Sequence, residues 1–184
     1  MKNLIAVFSA LFFITISWSS FAQQYKTEVG NVEFLSKAPL NEFAGVSSQL
    51  NGLIDFEKNL LDFFIDLNTL KTGIGLRDSH MRENYLETKK YPFAEFTGKI
   101  RENITLQPGE SKNVTAIGKF KIHGVEKEII VPGKVTGISN SEIKLAAMFK
   151  ILLSDYNIDI PKIIFYELAE EQTVTLSVNL KIEK

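Results

Sequence analysis

Apolar and polar residues alternate with a period of two along most of this chain. Val114, Ala116, Gly118, Phe120 and Ile122 alternate with Thr115, Ile117, Lys119 and Lys121, and Val174, Leu176, Val178, Leu180 and Ile182 alternate with Thr175, Ser177, Asn179 and Lys181. That period puts one set of side chains on a core face and the other in water, as in a half-buried β-strand. The same reading predicts strands over 29–35, 43–50, 53–56, 60–67, 94–100, 114–122, 129–135, 143–151 and 174–182, with Asn51-Gly52 as a tight hairpin between the second and third. Lys58-Asn59 marks the next break, Pro108-Gly109 reads as a surface turn, and His123 before Gly124 falls where one strand gives way to another. About eight strands without a βαβ rhythm predict an all-β antiparallel barrel or sandwich, and closure into a barrel would remove exposed edges.

One segment breaks the rhythm. A dense polar run from Thr69 to Pro92 separates Leu61, Phe63, Ile65 and Leu67 from Ala94, Phe96, Gly98 and Ile100, so it caps one end of the sheet. Within it, residues 78–86 are predicted as a short helix: Asp78 is placed to cap the first turn and to pair with Arg82, and Met81 and Tyr85 share a face. That face would look into the mouth of a barrel, and the helix would serve as its plug or lid.

The N-terminus sets an expected compartment. Lys2 precedes an apolar stretch from Leu4 to Trp18, and Ser20-Phe21-Ala22 has the small residues a signal peptidase requires, so residues 1–22 read as a signal peptide and 23–184 as one domain. The stretch is shorter than the ~20 residues a membrane-spanning helix needs, so the protein is not expected to span a membrane. Export to the periplasm, or to the outside of the cell, is the expected localisation. Removing residues 1–22 takes one lysine and no acid from 21 basic and 22 acidic residues, leaving a formal charge of −2, which gives nucleic acid nothing to hold. The chain has no cysteine, so burial and sheet hydrogen bonding must hold an exported domain without disulfides.

Catalytic chemistry finds little support. His80 lies beside Arg77 and Asp78, where a general acid or base is conceivable, but a hydrogen-bonded network tying strand ends to the helix suits those residues better. His123 has no ligand partner at metal-binding spacing, and no nucleophile elbow, phosphate-cradling loop or dinucleotide fingerprint is present. No catalytic residue and no metal are expected. Ten of the fourteen phenylalanines lie after Ala22, and Phe34, Phe56, Phe63, Phe96, Phe120 and Phe149 each occupy a strand-like segment. An eight-stranded barrel is either filled by such side chains or hollow enough for one small ligand, and alternation alone does not choose between them.

Three motifs in order do choose. Arg77-Asp78-x-His80, then Lys90-Tyr91-Pro92, then Gly118-Lys119-Phe120-Lys121-Ile122-His123-Gly124-Val125 with Lys127 following resemble the signature of the YceI-like family. The resemblance implies an exported, non-enzymatic barrel of lipocalin-like shape that binds a long apolar lipid, a polyisoprenoid above all, and needs no other cofactor. It makes Phe34, Phe56, Phe63, Ile65, Phe96, Phe120 and Phe149 the expected lining, with Met81 and Tyr85 closing the mouth. Arg77, Asp78 and His80 would stand near the lipid's polar end. One departure is notable: where family members carry Arg-Ser-Asp-aromatic-Gly, this chain has Leu153-Ser154-Asp155-Tyr156-Asn157, which removes a cation and leaves a left-handed position to asparagine. Two other readings stand beside this one: a filled barrel acting as an envelope stress or protein-interaction module, and an enzyme working through His80 and Asp78. Phe64 and Ile117 face outward on their strands, which permits a homodimer.

Overall fold

An antiparallel sheet closed on itself has no edge strand, and the chain adopts that solution. The computed structural model describes residues 24–160 and 168–182. The expected signal peptide lies outside the described residues. Among these, eight strands follow one another in chain order: β1 (Gln24–Lys37), β2 (Glu42–Asp55), β3 (Leu60–Asp66), β4 (Phe93–Ile100), β5 (Ser111–Ile122), β6 (Val125–Ser139), β7 (Glu142–Leu152) and β8 (Glu171–Ile182). Each is antiparallel to its neighbours, and β8 pairs back onto β1 to close the barrel. The expected all-β antiparallel barrel is what the chain forms. The alternation in β5 is obeyed residue by residue, with Val114, Ala116, Gly118, Phe120 and Ile122 buried and the residues between them reaching toward water.

The Asn51-Gly52 hairpin does not form. Both residues lie inside β2, where Asn51 pairs with Phe64 and Gly52 with Phe63, so the two expected strands are one. Gly52 is needed for a close approach rather than for a turn, since a Cβ there would lie 2.1 Å from Cε1 of the Phe63 ring. The chain reverses later, at residues 56–59. There Asn59 takes a left-handed φ of 55°, and the buried Asp55 carboxylate accepts the Lys58 amide at 3.0 Å. The other expected turns are present: Gly109 has φ +82° after Pro108, and His123 and Gly124, both left-handed, make the two-residue link between β5 and β6.

Because the strands reverse at each step, their connections divide between two ends. The floor carries the β2–β3, β4–β5 and β6–β7 links, and it is packed solid: Ile54, Val135, Ile143 and Leu180 are at most 1 % exposed, and Tyr25 meets Phe56 edge-on at 5.6 Å. The rim carries the β1–β2, β3–β4, β5–β6 and β7–β8 connections. Toward the rim the wall loosens at two seams: the β2–β3 ladder stops at Asn51 paired with Phe64, and the β6–β7 ladder stops at Gly133 paired with Ala147. The next residue up is Pro132, which has no N–H to give.

Candidate functional site

The inward side chains of the upper barrel do not meet. They surround a cavity of about 570 Å³ whose wall is almost entirely apolar and which opens at the rim. Its aromatic band is Phe34 on β1, Phe63 on β3, Phe96 on β4, Phe120 on β5 and Phe149 on β7, with Ile65 one pair above Phe63. These are the residues expected to line it, with two exceptions. Phe56 lies in the floor against Tyr25, below the cavity, because the strand ends at Asp55 and the following residue turns out of register. Asp78 is also off the wall, for a reason given below. Leu50, Ile54, Leu61, Ile100 and Val114 extend the apolar surface toward the floor.

The insertion between β3 and β4 folds over the mouth. After one tight turn (Leu67–Thr69) it forms α1 (Gly75–His80), which continues into a wider π-type turn (Met81–Tyr85). The helix thus begins three residues before the expected start. Its first cap is Ile74, which has no side-chain oxygen to offer, and Asp78 sits mid-helix with its carboxylate turned back on the preceding loop. There Oδ1 accepts the Thr72 amide at 2.8 Å and the Thr72 hydroxyl at 2.6 Å. Burial by itself would raise the Asp78 carboxyl; the Thr72 hydrogen bonds and the charges of Lys71 and Arg82 outweigh it and hold the group below its ordinary value. Asp78 is therefore a fastener of the insertion, as the network reading of the sequence has it, and does not cap the helix.

That fastening aims the rest. Met81 and Tyr85 look into the cavity from above, together with Leu86, as the shared helical face implies. Arg77 lays its guanidinium 4.2 Å above the Phe43 ring, tying the helix to β2, and it borders the mouth with His80, Asn41 and the exposed Ile74 and Leu76. A second fastener lies at the far end of the insertion. The Glu87 carboxylate is 2.7 Å from His123 Nε2, while His123 Nδ1 lies 3.1 Å from the Tyr156 carbonyl oxygen and its ring meets Tyr91 edge-on at 4.9 Å. One histidine in a hairpin turn thus joins three of the rim connections. Its place in the turn is legible in the sequence; its partners, 36 and 33 residues away, are not.

Two polar residues of the upper wall carry no motif. Ser36 and Gln172 face each other across the β1–β8 seam, both buried, and the Ala169 amide donates to Ser36 Oγ at 3.0 Å. Gln172 has the same strand parity as Val174 and Leu176, so extending that alternation by one pair places it inside. The departure at 153–157 is accommodated as its residues imply. Leu153–Tyr156 makes a single tight turn, Asn157 takes the left-handed position at φ 56°, and Lys127 pairs with Asp155 across the rim. Among the described residues no group of three or more His, Cys, Asp or Glu is placed to hold a metal ion, and no helix is long and apolar enough to cross a membrane.

A closed antiparallel wall, a solid floor, a hollow apolar upper half and a helical flap at one mouth define a calyx-type β-barrel. Within that class the chain belongs to the YceI-like domain family, whose model matches residues 23–183. Solved structures share the fold at low identity. A polyisoprenoid binding domain from Saccharophagus degradans, implicated in plant cell wall breakdown, superposes with a TM-score of 0.77 at 20 % identity, covering 89 % of this chain and all of that one. BcnA of Burkholderia cenocepacia gives 0.68 at 18 % over 82 % and 95 % of the two chains, and a YCEI protein of Campylobacter jejuni gives 0.59 at 18 % over the full length of both. Comparison with curated proteins finds no match.

Proposed function

We propose that this protein is an exported, non-enzymatic carrier that holds a long apolar lipid, such as a polyisoprenoid, in the hollow upper half of its barrel. The observation that carries the reading is the cavity: a barrel of this size can fill its interior with side chains, and this one does so only in its lower half. Cavities of this volume, with apolar walls and few polar groups, fit the general form of small-molecule sites. The fold shared with a domain described as polyisoprenoid binding supports the choice of ligand class. The apolar run from Leu4 to Trp18 supports export. A filled barrel working through its surface would have no use for the void.

Energetics limits how the lipid sits. Burying a chain of about 40 carbons at about 0.8 kcal/mol per methylene would approach 30 kcal/mol, beyond the ceiling of about 18–21 kcal/mol seen for non-covalent affinity. Ordering the lipid, shifting the flap and leaving part of the chain outside must offset much of that gain. A carrier that releases its cargo needs such offsets. The test is native mass spectrometry of protein purified from its own envelope, followed by organic extraction and identification of what is bound. A stoichiometric long-chain lipid is expected, and Phe63→Asp, which sets a charge on the aromatic band, should abolish it. Protein that is empty as isolated and takes up no added isoprenoid or fatty acid would sink the proposal, as would a folded Phe63→Asp variant that still carries lipid.

A further inference from the structure

Three of the large apolar side chains left in water stand at the mouth of the cavity: Leu40 at 76 % exposure, Leu76 at 68 % and Ile74 at 50 %. Leu40 lies in the β1–β2 connection beside Asn41 of the cavity lip, and Ile74 and Leu76 belong both to the lip and to the outer surface of the flap. The start of the flap stands clear of the barrel, since a Cβ added at Gly73 or at Gly75 would meet nothing within 4 Å. Gly73-Ile74-Gly75-Leu76 is thus a narrow protrusion that holds two aliphatic side chains in solvent. The same insertion reverses the charge of the domain. Residues 67–92 carry Lys71, Arg77, Arg82, Lys89 and Lys90 against Asp78, Glu83 and Glu87, a surplus of two positive charges on a domain whose formal charge is −2. All three acids are engaged within the fold, Asp78 by Thr72, Glu83 by Ser79 and Glu87 by His123, whereas Lys71, Lys89 and Lys90 are exposed. Across the mouth, Asp155 and Glu171 are each matched by a lysine, Lys127 and Lys150.

Aliphatic tips flanked by cations fit an anionic bilayer surface, where the apolar side chains enter the headgroup region and the lysines stay with the lipid phosphates. We propose that the flap tip and the β1–β2 turn dock the mouth of the barrel on an anionic phospholipid bilayer, so that a lipid passes between membrane and cavity without crossing water. A protein partner fits this surface less well, because three aliphatic side chains on two narrow tips fall far short of the roughly 800 Å² a side that a stable interface buries. Docking itself does not depend on what the cavity holds; its use in loading rests on the carrier reading.

Co-sedimentation tests it, with vesicles of phosphatidylglycerol and phosphatidylcholine in equal parts and with vesicles of phosphatidylcholine alone. The protein should partition onto the anionic vesicles about tenfold or more strongly than onto the neutral ones, and less so as salt is raised. The double variant Ile74→Ser/Leu76→Ser should lose about tenfold or more of that binding, because both aliphatic anchors are gone. Ile138→Ser, which removes a comparably exposed residue at the floor end, should bind as wild type does. All three changes fall on exposed side chains, so the barrel should fold in each variant, and the wild-type comparison of the two vesicles stands without them. Binding that is absent, that ignores lipid charge, or that survives in the folded double variant overturns the proposal, as does an equal loss in Ile138→Ser. Self-association that the double variant abolishes, with no vesicle binding, gives the surface to a second copy and overturns it too. Uptake of geranylgeraniol measured without vesicles keeps the two readings apart: protein that takes up the lipid and never docks overturns docking alone, and protein that docks and takes up nothing supports docking while sinking the carrier reading.

Discussion

Asp78 holds a negative charge almost wholly out of water, at 6 % exposure, and two short bonds from Thr72 make that tolerable. Since its folded pKa is lowered, the stability it contributes is present in full above the unfolded value of about 3.9 and is lost as pH falls through the folded one. Asp78→Asn should therefore cost about 1–3 kcal/mol at neutral pH, the worth of hydrogen bonds to a charged group. The deficit against wild type should shrink to nothing as both are titrated below pH ~4, and denaturant melts across that range would read it. A deficit independent of pH would mean that the charge is irrelevant. Asp78 also marks what a residue's neighbours in sequence cannot reveal. An aspartate ahead of an apolar helical face looks like a cap, yet the helix starts three residues earlier and the carboxylate turns to a threonine six positions back. Phe56 misleads in the same manner, since one step past the strand end takes an aromatic from the wall to the floor.

The insertion between β3 and β4 behaves as an element fastened at both ends, by Asp78 to Thr72 and by Glu87 to His123. Its middle, from α1 through the π-type turn, rests on the cavity through Met81, Tyr85 and Leu86. Loosening the second fastener should free the flap without unfolding the barrel, because Glu87 and His123 sit in connections outside the strand ladders. Glu87→Ala is expected to raise the exchange rate of a bound lipid several-fold while shifting global stability by less than about 1 kcal/mol. Stopped-flow displacement of a fluorescent lipid analogue would measure it, and an unchanged rate would remove Glu87 from the gating of the mouth. At this scale most of the fold is legible, because each strand has one apolar and one wet face and the period of two states it directly. What the pattern hides is where elements stop. Asn51-Gly52 has turn chemistry, but the Phe63 ring needs the space that Gly52 leaves, and tertiary packing overrides the local preference. Pro132, inside an otherwise regular strand, gives the opposite lesson, since its missing N–H foretells the end of the β6–β7 ladder.

For the whole molecule, the contrast between a solid lower half and a hollow upper half predicts how stability responds to cargo. An empty apolar cavity forfeits contacts that its lining would otherwise make, so the unliganded barrel lies below its attainable stability. A ligand that binds only the folded state at 100 times its dissociation constant adds about 2.7 kcal/mol, which for a domain of this size raises Tm by roughly 5–10 °C. Scanning calorimetry of delipidated and reloaded protein should show that rise, growing with lipid concentration; a Tm indifferent to lipid would mean that nothing enters. The closed barrel itself is foreseeable from eight alternating strands and the absence of βαβ units. The division of its interior is not, since the inward residues of both halves are mostly apolar and alternation alone does not say which of them meet.

The Tyr25–Phe56 floor has a consequence for traffic. A tube open at both ends could pass cargo through, whereas a cup with a sealed base admits and discharges at the same lip. On the carrier reading proposed here, whatever goes in tail first comes out head first, so each loaded molecule would offer its passenger in a single orientation, and donor and acceptor would take turns at one doorway.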